Sequence, residues 1–598
     1  MLAAAWIAAG AQSPAPTGAA SIKGLAIDGP TGKPIGGVRV AILGEAARNS
    51  KTDEEGGFEF SDLPAGAYSL LVDVPGRGLN RFGEARPGGD GTGFTLNAGQ
   101  HLEGLTLRSW PRATLSGRVT APDGAPMPGA AVEVALRVFQ PTSYAENYRH
   151  ALDTETDARG NYRAELPAGH YLVTVRSTNV TIPAAVQEAY HQELTRPSFG
   201  TFITDRLDRA AAPPITGRGV AIGDFRYQVM ALLRPQVPSA PATATGITST
   251  YHSQARHIDL HAGDTTTLDF QRALVPAFTV SGSVGGPVNG GLVAVRLTSL
   301  AEPAMMKFSA GPPLSSETAI AMTDAQGAFT MFGVPAGRYE IVVRVGNDAP
   351  LLPPAQQLGT TASARKELAV EADIKGLTLA LRPTPVVTGQ IEFLGEPPPT
   401  PEQKGAMSFG LYEDLLSSAL KPVRPFLHAD GSFRLIGQIP GRYWPVASLG
   451  DWSFEHITIN GQSLDDQVIV LGDEGLTDVS VVARRWTKRT DVLWGRVALP
   501  PGASPFEITV AVFPTNFADR LAARSFNGRR VAFFRLKQPE FNAGAMPPGD
   551  YFVVAYRESE GQDPTKAFFD RLAKHATRVA VRDGLPTRVS LSISELGR

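Results

Sequence analysis

Apolar and polar residues alternate in short runs along most of the chain, as in Phe58-Glu59-Phe60 and Tyr339-Glu340-Ile341-Val342-Val343. A period of two marks half-buried strands. The runs are broken by one recurring pair of signals. Asp324-Ala325-Gln326-Gly327-Ala328-Phe329 leads to Val334-Pro335-Ala336-Gly337-Arg338-Tyr339. Equivalent pairs join Asp53–Phe58 to Tyr68, Asp157–Tyr162 to Tyr171, and Asp430–Phe433 to Tyr443. A fifth copy keeps only Met546-Pro547-Pro548-Gly549-Asp550-Tyr551. Asp followed by Gly suits a tight turn, because the carboxylate accepts nearby backbone N–H groups and Gly takes positive φ. Pro then stops the ladder, and the Tyr opens a new strand at a corner where its hydroxyl can return to backbone.

The corner tyrosines set a ruler. Tyr68 to Tyr171 spans 103 residues, Tyr339 to Tyr443 spans 104 and Tyr443 to Tyr551 spans 108, whereas Tyr171 to Tyr339 spans 168. This predicts an all-β chain of five tandem antiparallel β-sandwiches of prealbumin-like type: 21–108, 109–275, 276–382, 383–485 and 486–598. Each opens on a strand of one kind, such as Thr114-Leu115-Ser116-Gly117-Arg118-Val119 or Val386-Val387-Thr388-Gly389-Gln390-Ile391. The second unit carries an insertion over about 177–250, expected to be partly helical. Val186, Tyr190 and Leu194 have helical spacing, and Asp224 is placed to cap a second helix through Leu233, although Phe225–Val229 also reads as strand. A short helix is expected in the fifth unit at Pro564–His575, with Phe568, Phe569 and Leu572 on one face. Proline-bearing joints, Arg108–Arg112 and Leu381–Pro385, predict a semi-rigid rod.

Composition narrows the function. The 598 residues carry a formal charge of −2, which gives no pull toward nucleic acid. Cysteine is absent, so disulfides, thiol nucleophiles and Cys-ligated zinc are excluded. Residues 1–20 combine a short apolar run, small residues near Ala9 to Ala11 and a Ser/Pro/Ala spacer, which reads as the end of a secretory signal. No later run reaches the ~18 apolar residues of a membrane helix. A secreted, periplasmic or cell-surface protein that does not span a membrane is the expectation.

The Asp-x-x-Gly-x-aromatic turn followed by Pro-Ala-Gly-x-Tyr resembles the carboxypeptidase regulatory-like domain family, in repeat proteins of the kind exported by soil bacteria. The likeness covers 21–108, 114–176 with 251–270, and 278–382. It implies transthyretin-like or starch-binding-like sandwiches that are exported and non-catalytic. The superfamily is often associated with carbohydrate binding, but none of its binding residues transfers onto this sequence.

Few residues offer chemistry. His257, Asp259 and His261 would share one face of a strand, and His and Asp suit zinc, but same-face neighbours stand about 7 Å apart, wide for one small ion. Trp444 and Trp452, with Tyr443, are the rings to consider for sugar stacking, against a core role. Asp53-Glu54-Glu55-Gly56 and Asp465-Asp466 lack the alternating ligands of a calcium loop. No nucleophile elbow, phosphate loop or dinucleotide fingerprint occurs, and no cofactor is implied. The reading is a non-catalytic binding protein with glycan as leading ligand class, or alternatively an envelope spacer that docks proteins through the insertion.

Overall fold

The computed structural model describes residues 20–89, 91–140, 143–175, 178–185, 220–230, 242–243, 246–286, 293–301, 305–306, 317–347, 359–413, 426–449, 452–463, 469–485, 493–501, 503–515, 531–544, 546, 549–557, 566–582 and 585–596. The fold is all-β and is made of many small sheets. The signal-like stretch and Asp465-Asp466 lie outside the described residues.

One three-strand arrangement recurs along the chain. Ala20–Asp28 runs antiparallel to Gly57–Leu63 and parallel to His101–Ser109. Ala113–Thr120 does the same with Asn161–Leu166 and Thr265–Thr267. So do Ala273–Gly285 with Ala328–Pro335 and Ile374–Ala380, and Val387–Leu394 with Ser432–Leu435 and Leu476–Arg485. Leu493–Ala498 with Glu540–Asn542 and Thr587–Ser594 repeats it again.

The opening strand carries a glycine for a packing reason. A Cβ on Gly24 would lie 2.5 Å from the Phe58 ring, one on Gly389 2.6 Å from Phe433, and one on Gly495 2.7 Å from Phe541. In these three units an aromatic ring lies over a bare backbone. This identifies the partner that the sequence did not show for the fifth unit. It is Phe541, not the Arg529–Phe534 stretch, whose strand Ala532–Arg535 pairs instead with Ile508–Pro514.

The opposite sheet of the first unit runs Arg48–Lys51, Arg39–Gly44, Gly66–Val74 and Gly78–Arg81, with Phe94–Leu96 also on Gly66–Val74. Ile22, Phe58, Val40, Ile42, Leu70 and Leu105 fill the space between the two sheets. Similar clusters lie around Val132 and Tyr162, Val295 and Phe329, Phe409 and Phe433, and Val510 and Tyr551.

The insertion departs from expectation. Thr178–Pro183 is a strand, Ala184 and Ala185 are helical as expected of the first helix, and its residues 186–194 lie outside the described residues. The expected second helix is a hairpin, Val220–Ile222 with Phe225–Met230, turned by Gly223 at φ +54°. Alternation decides this: Tyr227 is driven inward and is fully buried. These strands also do not project. They extend a sheet of the third unit, in the order 220–222, 225–230, 178–183, 317–322, 294–299, 337–347, 359–370 and 382–383. Ser249–His252 then pairs with Ala273–Gly285 before Arg256–Leu260 returns to Gly169–Val175.

The helix Lys566–His575 forms where expected and buries Phe568, Phe569 and Leu572. A second helix, Pro401–Ala406, was not foreseen. Thr400 and Gln403 cap it reciprocally behind Pro401, a capping-box signal that was present in the sequence. Among the described residues, no helix is long and apolar enough to cross a membrane.

The array is not an open rod. Phe506, in the short helical turn Pro505–Glu507, is buried in the core of the first unit, 4.9 Å from the Phe82 ring. Arg108 pairs with Glu507 at 2.5 Å, and Arg535 donates to Gly83 O. Prolines stand in the joints Arg108–Arg112 and Leu381–Pro385 but do not set the accumulated angle. Burial of an aromatic ring at the returning end decides it.

Candidate functional site

The recurring turn is consumed by its own backbone. Asp157 Oδ1 accepts the N–H groups of Arg159 (2.8 Å) and Asn161 (2.9 Å), and Asp324 Oδ1 those of Gln326 (2.9 Å) and Ala328 (2.8 Å). The Asn161 amide, then that of Arg159, holds the Asp157 carboxyl below its ordinary range. The Ser432 amide and hydroxyl do the same for Asp430. The corner hydroxyls are equally committed. Tyr68 donates to Pro64 O at 2.8 Å, Tyr171 to Pro167 O at 2.7 Å, Tyr339 to Pro335 O at 2.9 Å and Tyr443 to Ile439 O at 2.6 Å.

These corners are structural, and the claim is testable. Tyr339→Phe keeps the ring and deletes the hydroxyl, so the corner is expected to lose about 0.5–1.5 kcal/mol. Because a chain of several cores does not unfold in one step, the readout is faster hydrogen exchange at the amides of Gly337 to Ile341. Binding to any partner is expected to stay unchanged.

The histidine strand is drawn apart. His257 and Asp259 lie on Arg256–Leu260, whereas His261 is beyond its end with its N–H donating to Asp264 at 3.3 Å. The Tyr148 hydroxyl meets His257 Nδ1 at 3.2 Å, and Asp259 pairs with His170 from the adjacent strand. His252, close in sequence, sits opposite Ala273 on another sheet. Among the described residues, no group of three or more His, Asp or Glu is placed to hold a metal ion. His170 is the neighbour that sequence reasoning missed; register alone brings it opposite Asp259.

Trp452 is buried in the fourth core, edge-on to Phe393 at 5.0 Å. Trp444 lies on Gly441–Ser448, opposite Tyr412, and its side chain is outside the described residues. A cleft of about 530 Å3 lies on the seam between the first and fifth units. Its floor is aromatic, with Phe94, Phe506, Phe534 and Phe541, and Asn97, Gln100 and Gln538 stand around it. Residues from opposite ends of the chain meet here, so no local motif announces it.

Comparison with known proteins bears on the fold. Residues 21–107 and 114–188 match the carboxypeptidase regulatory-like domain family, as the turn signature indicates. No curated protein matches the sequence. Among solved structures, the Bacillus anthracis TIE protein is 12% identical, with 61% of this chain and 51% of that one covered and a TM-score of 0.16. This chain thus spans about half the length of that protein. The minor pilin GBS52 of Streptococcus agalactiae is 14% identical over 44% of this chain and 97% of its own, at a TM-score of 0.19. A streptococcal ancillary pilin is 10% identical over 61% and 99%, at a TM-score of 0.18.

Proposed function

We propose that the chain is an exported, non-catalytic binding scaffold of the cell envelope. It is built of five tandem sandwiches, 21–108, 109–275, 276–382, 383–485 and 486–598, closed by contact between the first and the last. The observation that carries this reading is the commitment of the repeated polar residues. The Asp, Gly and Tyr groups that recur are engaged with backbone at turns and corners. A scaffold needs these groups for folding alone, whereas a catalyst needs polar groups held ready for substrate. The match of two stretches to the carboxypeptidase regulatory-like domain family supports the same reading.

A second reading, glycan as the ligand, is favoured by the seam cleft with its mixed aromatic and amide lining. The scaffold reading is tested by crosslinking the full chain in its producing cells. Recovery of envelope proteins or polysaccharide, with no turnover of ester, peptide or glycoside substrates by the purified chain, is the expected result. Turnover that co-purifies with the chain and survives further fractionation overturns it.

A further inference from the structure

The chain enters the fold beside the seam cleft. Ala20 opens the first strand, the Ser21 N–H donates to Gln100 O at 3.0 Å, and Ile22 stands opposite Leu102. Gln100 and Leu102 both line the cleft. Ala20–Asp28 and His101–Ser109 are parallel, so the backbone upstream of Ala20 is directed along the turn Asn97–Gln100, which is closed by the Gln100 N–H on Asn97 O at 3.1 Å. Asn97 lines the cleft as well.

The stretch upstream is Gln12-Ser13-Pro14-Ala15-Pro16-Thr17-Gly18-Ala19. It follows the small residues near Ala9 to Ala11 where the signal-like run would be cut, so it stays on the chain whether or not that cut is made. Two prolines one residue apart disfavour helix and favour the extended polyproline form, which makes no hydrogen bonds of its own. Such segments dock in aromatic-lined grooves, and their carbonyls need donors from outside. The cleft offers both. Phe94, Phe506 and Phe541 are buried in its floor, Phe534 is half-exposed, and the side-chain amides of Asn97 and Gln538 stand at exposed positions. Charge makes no choice of occupant: Arg535 donates to Gly83 O, Glu540 pairs with Arg496 at 3.5 Å, Lys537 is exposed, and 12–19 carries no charged side chain. The tether makes it instead. Pro16 and Pro14 stand four and six residues from Ala20, about 12 and 19 Å at about 3.1 Å per residue, and a link that short gives an effective concentration of about millimolar.

We propose that residues 12–19 lie back along the seam cleft, with Pro14 and Pro16 on the phenylalanine floor and Asn97 and Gln538 donating to the segment's backbone carbonyls. The docked segment ties the first unit, into which it leads, to the fifth, which supplies Phe506, Phe534 and Phe541. A ligand entering the cleft has first to displace it.

The chain has no cysteine, so an introduced pair supplies its only thiols. Spin labels on Ala15→Cys and Lys537→Cys, in the full chain diluted with unlabelled chain, report the distance from segment to cleft by double electron–electron resonance. One narrow distance is expected. Pro14→Ser/Pro16→Ser, both upstream of the first strand, is expected to broaden it about twofold or more, toward the spread of an unrestrained linker. A second pair, Ala98→Cys with Lys537→Cys, both at exposed positions, reads the seam alone and is expected to stay narrow with and without the serines. A broad segment distance beside a narrow seam distance overturns the proposal, and so does a narrow segment distance that the serines leave unchanged. A narrow distance lost on dilution assigns the cleft to the segment of a second copy and overturns docking within the chain. Broad distances for both pairs mean an open seam, and the proposal falls with it.

Discussion

Replacing Phe506 with alanine is expected to open the array. Phe506 is only 7% exposed, and it is enclosed by residues of the first unit's core although it lies about 400 positions downstream of Leu107. Its ring meets Phe82 edge-on at 4.9 Å, and Phe82 in turn meets Phe94 at 5.7 Å. Removing a buried phenylalanine costs about 3–5 kcal/mol, and here the loss falls on the docking of two units rather than on either unit's own strands. Small-angle scattering should therefore show a larger radius of gyration and maximum dimension, with strand content by circular dichroism unchanged. Glu507→Gln is the milder comparison. It removes the pairing with Arg108, whose side chains are 22% and 25% exposed, and a pair so placed contributes about 1 kcal/mol or less. An unaltered scattering profile for the Phe506 variant would mean that the joints alone fix the shape.

That closure is also the clearest case of what the sequence could not convey. Features encoded within a few residues were legible. The Asp-Gly turns, the Tyr corners and the amphipathic helix Lys566–His575 each depend on local spacing, and each formed where its pattern stood. The opening-strand glycines were visible as a repeat, but their reason was not. Gly24 and Gly495 are bare because Phe58 and Phe541, tens of residues away, lie on them. For the same reason the fifth aromatic was misplaced: without its turn signal, only the contact with Gly495 identifies Phe541. The seam and its cleft lie at the far end of this scale. Phe506 looks like any apolar residue beside a proline until the chain has turned back on itself. Of the candidate site residues, His257 and Asp259 share a strand as their spacing indicates, yet Asp259 is drawn to His170 by cross-strand register and His257 meets Tyr148, whose side chain reaches over the two intervening strands.

Asn179→Ala is expected to destabilise a unit to which Asn179 does not belong in sequence. Asn179 is 3% exposed on Thr178–Pro183, a strand contributed by the second unit. That strand runs parallel to Glu317–Met322 of the third, with Asn179 opposite Ala319. Its Nδ2 donates to Gly333 O at 2.6 Å, and its Oδ1 accepts the hydroxyl of the fully buried Tyr227 at 3.0 Å. Burial pushes the Tyr227 hydroxyl well above its ordinary pKa, so it stays a neutral donor. Gly333 has φ +72°, and a Cβ there would come within 2.9 Å of the Tyr227 oxygen, so no other residue fits under this junction. Alanine at 179 strands both the Gly333 carbonyl and the Tyr227 hydroxyl, at about 1–3 kcal/mol for each. Hydrogen exchange in the full chain should then quicken across Glu317–Met322 and Ala328–Pro335, although the substitution lies more than a hundred positions upstream. Tyr227→Phe alone should cost less, since it leaves one amide oxygen short of a donor. The two changes together should cost less than their sum, because the phenylalanine removes the hydroxyl that Asn179→Ala would otherwise strand. Faster exchange confined to 178–230, with the third unit untouched, would mean that the inserted strands merely rest on that sheet. Quickening in both places would establish that the interruption in the repeat is what binds the second and third units into one body.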